Sequence, residues 1–254
     1  MTEGPKQLRV LVAHPERQHS FRLATALKKA GVLDKYVTTL YYGKDRWSLT
    51  RVAALFLRGD ARASAHRRVC LDLDDDDVLT YFEELGLLTI FAYRVDPSGR
   101  LARLFMRVTS WLFQGKVARY AVRHRVDAVI MYDSNARQCF ELLAKKAPGI
   151  KRIFDHARRV RNFVYEVYRN HVAAGGAFVK TYPGLFLLDR RVAARYGLEA
   201  WTAQFHIVAS SFSGESIRYN GISDDNIIDA PYGVDAEAFF KRGQTRALAS
   251  TCFM

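Results

Sequence analysis

The chain has 254 residues, is 49% hydrophobic and 26% charged, and carries a net charge of +13. This size and composition allow a large buried core and exclude an intrinsically disordered protein. The apolar runs, such as 128–131, are far shorter than the roughly 20 residues of a membrane-spanning helix. No secretion signal precedes Leu8, so we expect a cytoplasmic protein. The three scattered cysteines predict neither a disulfide framework nor a zinc site.

Strand and helix patterns alternate along the chain. In order, they predict strand 8–13, helix 21–30, strand 36–41, a basic helix over about 98–124, strand 126–132, helix 135–146, strand 150–154, helix 160–174 and a long helix over roughly 185–202. Segment 203–240 adds a buried strand, a capped helix, a second buried strand and a glycine turn. Continuous apolar strands separated by helices predict a Rossmann-like parallel sheet with helices on both faces.

The stretch 47–96 is less regular and contains an acidic run at 72–77. We interpret this run as a solvated loop that caps a helix starting near Val78. Asp72 and Asp74 also match the Asp-x-Asp pattern with which metal-dependent glycosyltransferases hold a divalent ion. A metal-dependent transferase is therefore one hypothesis, but the leading expectation is that the protein has no metal site.

Polar residues follow several of the predicted strands. Because the carboxyl ends of parallel strands surround one crevice, we predict a shared rim formed by His14, Glu16, His19, Ser20, Asp133, Ser134, Asp155, His156, Arg158, Arg159, Ser211 and Gly233. His156 either exchanges a proton or bonds a sugar hydroxyl, or it serves a structural role. Loop 14–20 precedes a helix whose N-terminus could bind a phosphate. The alternative is that the loop only supplies Ser20 as the N-cap of that helix.

Positive charge is concentrated between Arg94 and Arg125, where eight Lys and Arg residues face only Asp96, for a local charge of +7. The apolar residues of this helix gather on one face, and three arginines border it. Two interpretations follow: a core-packed helix with a solvated flank, or contact with an anionic membrane or lipid acceptor through Arg100, Arg103, Arg107 and Trp111. Motifs for nucleic-acid binding are missing, so we expect no nucleic-acid partner.

Four segments resemble the N-terminal domain of GT-B glycosyltransferases of family 4: the opening strand and loop 10–20, residues 132–134, residues 154–156, and 210–235 with its Pro-Tyr-Gly-Val-Asp. The resemblance covers 8–240 and implies metal-independent, retaining transfer from a nucleotide sugar to a polysaccharide or lipid-linked acceptor, without a cofactor. It matches His156 to the active-site histidine of the family and places loop 14–20 at the acceptor and donor-phosphate side. Together with the basic helix, it leaves open a peripheral position of this cytoplasmic protein at the inner face of the membrane.

The sequence stops 14 residues after Phe240, where family members begin a second, donor-binding domain with a Glu-x7-Glu pattern. Residues 241–254 would be a truncated tail or the start of an interdomain linker. We therefore expect this chain alone to bind nucleotide sugar weakly and to show no transfer. The alternative is a non-catalytic module that binds carbohydrate or an anionic membrane surface.

Overall fold

The computed structural model describes residues 7–16, 20–45, 47–156, 160–175, 197–231 and 233. Seven strands form one parallel sheet: β1 (Val10–Ala13), β2 (Leu33–Thr38), β3 (Val78–Thr80), β4 (Ala128–Tyr132), β5 (Lys151–His156), β6 (Phe205–Val208) and β7 (Ile227–Asp229). Their order across the sheet is β3-β2-β1-β4-β5-β6-β7. This order is typical of a Rossmann-like fold.

Helices cover both faces of the sheet. They are α1 (Ser20–Lys29), α2 (Leu49–Phe56), α3 (Gly59–His66), α4 (Glu83–Val95), α5 (Arg100–His124), α6 (Arg137–Lys146), α7 (Arg161–Ala173) and α8 (Ser211–Arg218). Residues 197–200 are also helical. The predicted fold class is therefore confirmed. Most of the long helix predicted over 185–202, together with the tail 241–254, lies outside the described residues.

The central strands β1 and β4 carry the core because each is covered on both sides. Val129 and Met131 of β4 pack in a cluster with residues of α5 and α6, such as Phe113 and Phe140. Ile130 and Tyr132 of β4 belong to a second cluster that includes Ala24 of α1. An unbroken apolar strand is what burial on both faces requires.

The acidic run does not cap an α-helix; its Asp74 is the N-cap of a short 3₁₀ turn. Asp75–Asp77 forms a 3₁₀ turn that leads into β3, and α4 begins only at Glu83. Lys28 of α1 pairs with Asp74 at 2.7 Å and with Asp77 at 2.6 Å. Two of these carboxylates thus tie α1 to the turn. Within the described ranges, no cluster of His, Cys, Asp and Glu has a geometry suited to a metal ion.

Two further boundaries differ from the sequence prediction. Helix α1 begins at Ser20 itself, so Ser20 is a helical residue rather than the cap before it. Strand β5 extends through His156, so Asp155 and His156 belong to the strand and not to the loop that follows. Both changes matter for the site, because they place these side chains inside the layered core. Among the helices described, none has the length and hydropathy needed to cross a membrane.

Candidate functional site

A cleft of about 800 Å³ opens at the carboxyl ends of β1, β2 and β4. The chain runs outward from β1 to β3 and then crosses back to β4, so the loops after β1 and β4 diverge at this point. Crevices of doubly wound sheets form at such a switch point. Helices α4 and α5 complete the walls. The polar residues that line the cleft are His14, Glu16, Thr39, Arg68, Thr89, Arg103, Arg107, Thr109, Ser110, Gln114, Asp133, Ser134, Asn135 and Gln138.

Three arginines and two carboxylates line this cleft. Arg103 and Arg107 lie one turn apart on α5, and Arg68 comes from the segment after α3. None of the ion pairs between described residues involves Arg103 or Arg107. The carboxylates are Glu16, after β1, and Asp133, after β4. A guanidinium group can donate two parallel hydrogen bonds to the oxygens of a phosphate, and a carboxylate accepts hydrogen bonds from hydroxyl groups. The cleft therefore offers partners for both halves of a phosphorylated sugar.

A hydrogen-bonded network supports the α5 side of the cleft. Gln114 Nε2 donates to Ser110 Oγ at 3.0 Å, and Ser110 Oγ donates to Asn135 Oδ1 at 2.8 Å. Thr109, next in the same wall, is only 6% exposed, and its Oγ1 has no partner among the described residues. A buried hydroxyl without a partner costs roughly 1–3 kcal/mol. A polar ligand atom or a water molecule at this position would supply the missing bond.

The N-terminus of α6 points toward the cleft but is already occupied by side chains of the protein. The Glu199 carboxylate accepts from the amides of Ser134 at 2.8 Å, Ala136 at 2.9 Å and Arg137 at 3.2 Å. Gln114 Oε1 accepts from the next amide, that of Gln138, at 2.9 Å. These groups satisfy the first amides of α6, which would otherwise attract an anion. This helix N-terminus therefore has no free amide at its start with which to bind an anion.

Glu199 carries this role at an electrostatic cost. Burial raises the pKa of the Glu199 carboxyl group, whereas the three backbone amides lower it in opposition. The residue also fixes the turn after β4, in which Ser134 has a positive φ of 71°. A strained turn persists only where its surroundings hold it. Glu199 thus positions Asp133 and Ser134 at the rim.

His14 lies at the base of the cleft, directly after β1. It is 1% exposed, and its Nδ1 accepts a hydrogen bond from the amide of Glu16 at 2.9 Å. Its ring packs edge-on against Tyr132 with centroids 5.0 Å apart. Nδ1 also contacts the carbonyl oxygen of Glu16, so both backbone polar groups of that residue meet the imidazole ring. His14 therefore orders the loop that carries Glu16.

His156 is not among the residues that line the cleft. It is 3% exposed at the end of β5, and its Nε2 lies 2.9 Å from Nδ1 of His206 on β6. Burial, reinforced by the neighbouring ring, holds the pKa of His156 well below its usual range, and burial lowers the pKa of His206 to about 4. The two rings therefore form a neutral, hydrogen-bonded pair within the core. A catalytic role for His156 stays a prediction.

The other predicted site residues are dispersed. Ser20 is fully buried, with its hydroxyl 3.0 Å from that of Tyr36. Ser211 begins α8, where the cap is Ser210, whose side chain accepts from the amide of Ser213. The carbonyl of Gly233 accepts from Arg22, and Asp155 is buried in β5. His19, Arg158 and Arg159 lie outside the described residues.

The basic helix does not pack its predicted apolar face against the core. Leu104 and Trp111 are 56% and 61% exposed, whereas the buried face of α5 carries Phe113 and Val117. The helix therefore packs against the core, but through a different face from the one that the sequence predicted. Two of its bordering arginines, Arg103 and Arg107, line the cleft together with Trp111, while Arg100 does not.

No family model matches the chain, and no curated protein matches it. Solved structures with some likeness include UDP-N-acetylglucosamine 2-epimerase from Rickettsia bellii (13% identity, 96% of this chain, 50% of that chain, TM-score 0.43) and UDP-GlcNAc 2-epimerase from Neisseria meningitidis bound to UDP-GlcNAc (12%, 87%, 45%, 0.42). A third is a UDP-glucosyltransferase from Polygonum tinctorium capable of glucosylating indoxyl (13%, 94%, 56%, 0.37). The chain spans about half the length of these proteins. Likeness of this degree assigns no reaction, and the fold assignment rests on the strand order.

Proposed function

We propose that this chain is the acceptor-side domain of a nucleotide-sugar glycosyltransferase, and that its cleft binds a phosphate-bearing sugar acceptor. The observation that carries the proposal is the convergence of Arg68, Arg103 and Arg107 with Glu16 and Asp133 in one cleft at the switch point of the sheet. The sequence resemblance to family 4 supports transfer as the reaction. We infer from it a retaining, metal-independent mechanism with a nucleotide sugar as donor.

Different residues of the cleft would bind different parts of the acceptor. Arg103 and Arg107, spaced one turn apart, can hold neighbouring oxygens of a phosphate or diphosphate through charge-assisted hydrogen bonds. Glu16 and Asp133 accept from sugar hydroxyls and set the orientation of the ring. Thr109, in the lining of the cleft, has a buried hydroxyl without a partner among the described residues. Holding the acceptor in one orientation is the contribution that such a domain makes to the rate.

Two double variants test the binding site with matched changes of charge. Arg103→Gln/Arg107→Gln removes two cleft arginines, and Arg119→Gln/Arg123→Gln removes two exposed arginines of the same helix at the same spacing. Calorimetric titration should use a soluble, short-chain prenyl-diphosphate-linked sugar, with UDP-glucose and inorganic pyrophosphate for comparison. A charged hydrogen bond contributes roughly 1.5–3 kcal/mol, so loss of both cleft arginines should weaken binding at least about tenfold.

The control variant should bind as the wild type does. Equal weakening by both double variants would mean that only the overall positive charge attracts the ligand, and the proposed site would be wrong. Tighter binding of UDP-glucose than of the prenyl-diphosphate-linked sugar would indicate that the cleft binds the donor and not the acceptor. A non-catalytic, surface-binding module is the second candidate function, and the exposed apolar residues of α4 and α5 favour it.

A further inference from the structure

Helices α4 and α5 form an antiparallel hairpin with an exposed apolar face. They pack closely together, and Tyr93 of α4 donates from its hydroxyl to Met106 Sδ of α5 at 3.0 Å. On the outside of the pair, large apolar side chains recur at three- and four-residue spacing on both helices. These residues, called the hairpin face below, are Leu88, Phe91 and Val95 of α4 with Leu101, Leu104 and Val108 of α5, each between 41% and 60% exposed.

The hairpin face is distinct from the wall of the cleft. The cleft is lined by the α4 residues Gly86, Thr89, Ile90 and Tyr93, whereas Phe91 and its neighbours occupy the opposite side of that helix. A run of apolar residues along two adjacent helices exceeds the single exposed side chains that are normal on protein surfaces. The hairpin face therefore has the properties of a docking surface.

Charge indicates what covers the hairpin face. Between residues 85 and 125 the chain has eight Lys and Arg residues and one acidic residue, Asp96. Arg100, Arg103 and Arg107 form the flank of α5 beside Leu104 and Val108, and Trp111 continues the apolar series toward the cleft. Apolar side chains bordered by arginines and tryptophan are the composition with which helices lie in an anionic lipid surface. Protein interfaces more often include charges of both signs that pair across the contact.

We propose that the hairpin face docks on the surface of an anionic lipid bilayer, with the hairpin lying in the headgroup region and the cleft opening beside it. Arg103, Arg107 and Trp111 belong to both the cleft and the flank of the hairpin. A ligand with a lipid tail would thus pass from the bilayer into the cleft without crossing water. The docking itself does not depend on the proposed reaction, because the six apolar residues of the hairpin face do not line the cleft.

Vesicle co-sedimentation tests the docking with matched variants. Phe91→Gln/Leu104→Gln changes two residues of the hairpin face that are 60% and 56% exposed. Trp201→Gln/Leu198→Gln changes an equivalent pair elsewhere, 58% and 55% exposed. Wild-type protein should bind phosphatidylcholine vesicles at least about tenfold more strongly when they contain phosphatidylglycerol, because each arginine near an anionic surface adds attraction. The first variant should lose at least about tenfold of that binding, and the second should keep it.

Lipid-borne quenching reports which part of the chain meets the bilayer. With Trp111 as the only tryptophan, after Trp47→Phe/Trp201→Phe, brominated lipids should quench the fluorescence. With Trp201 as the only tryptophan, after Trp47→Phe/Trp111→Phe, they should not. Absence of binding, or binding unaffected by Phe91→Gln/Leu104→Gln, would overturn the proposal. Self-association without lipid that this same variant abolishes would also overturn it, because a second copy of the chain would then cover the hairpin face.

Discussion

Acidification should destabilise this fold through the buried His156–His206 pair. Burial lowers the pKa of His206 from 6.5 to about 4 and lowers that of His156 in the same direction. Both groups are therefore neutral in the folded state at a pH where the unfolded chain has already protonated them. The unfolded state therefore binds more protons at low pH. The contribution of the pair to the free energy of unfolding is complete above pH 6.5 and decreases as the pH drops toward 4.

The size of the effect follows from the shift. One pKa unit corresponds to about 1.4 kcal/mol, so at about pH 5, roughly 1.5 units below the unfolded value, His206 alone should remove about 2 kcal/mol. His156 adds to this loss. Urea unfolding of the wild type at about pH 7.5 and about pH 5 measures the sum. His206→Gln keeps a polar group in place but removes one proton-binding site, so its pH dependence should be weaker by about 2 kcal/mol.

His66 supplies the control for this comparison, since it is exposed at the end of α3. His66→Gln makes the same chemical change at a solvent-exposed position. Equal free energies of unfolding for the wild type at the two pH values would refute the reasoning. So would a pH dependence in His206→Gln that matches that of the wild type, because the rings would then be protonated or solvated in the folded state.

Two further substitutions test the local supports of the fold. Glu199→Gln should lower the free energy of unfolding by about 1–3 kcal/mol, because an amide cannot accept from all three backbone N–H groups that the carboxylate serves; the exposed Glu141→Gln is the control, and equal effects in urea unfolding would argue against the role. Ser210→Ala should cost about 1 kcal/mol by removing the N-cap of α8, whereas Ser211→Ala, one residue later, should change thermal unfolding little. Loss of stability only at Ser211 would contradict the cap assignment.

The central strands could be predicted from the sequence because their composition leaves little choice. Residues 128–131 are apolar without interruption, as burial on both faces requires. Strand β3 was not predicted, because it has only three residues and follows an acidic run. Acidic residues are typical of a helix N-terminus, so the sequence indicated a helix at this point. The end of β5 was misplaced for a related reason. Asp155 and His156 are polar, and only the pairing with β6 explains their burial.

The candidate site could be predicted in part. The rule that loops after parallel strands converge located His14, Glu16, Asp133 and Ser134, all of which line the cleft. It did not locate Glu199, because a contact across more than 60 residues of sequence leaves no local pattern. The arginines of α5 were recognised by their spacing, but their neighbours in space were not. Only the packing of α4 beside α5 shows which side of the helix meets the cleft and which remains exposed.

Hydrogen–deuterium exchange with the prenyl-diphosphate-linked sugar tests the central claim most directly, because it reports where on the chain the ligand binds. Binding in the cleft should slow exchange in two segments: the loop 133–136 and the first half of α5, which carries Arg103 and Arg107. Exchange around His156 and in β6 should not change. Protection confined to β5 and β6, or no protection at saturating ligand, would contradict a binding site at the switch point.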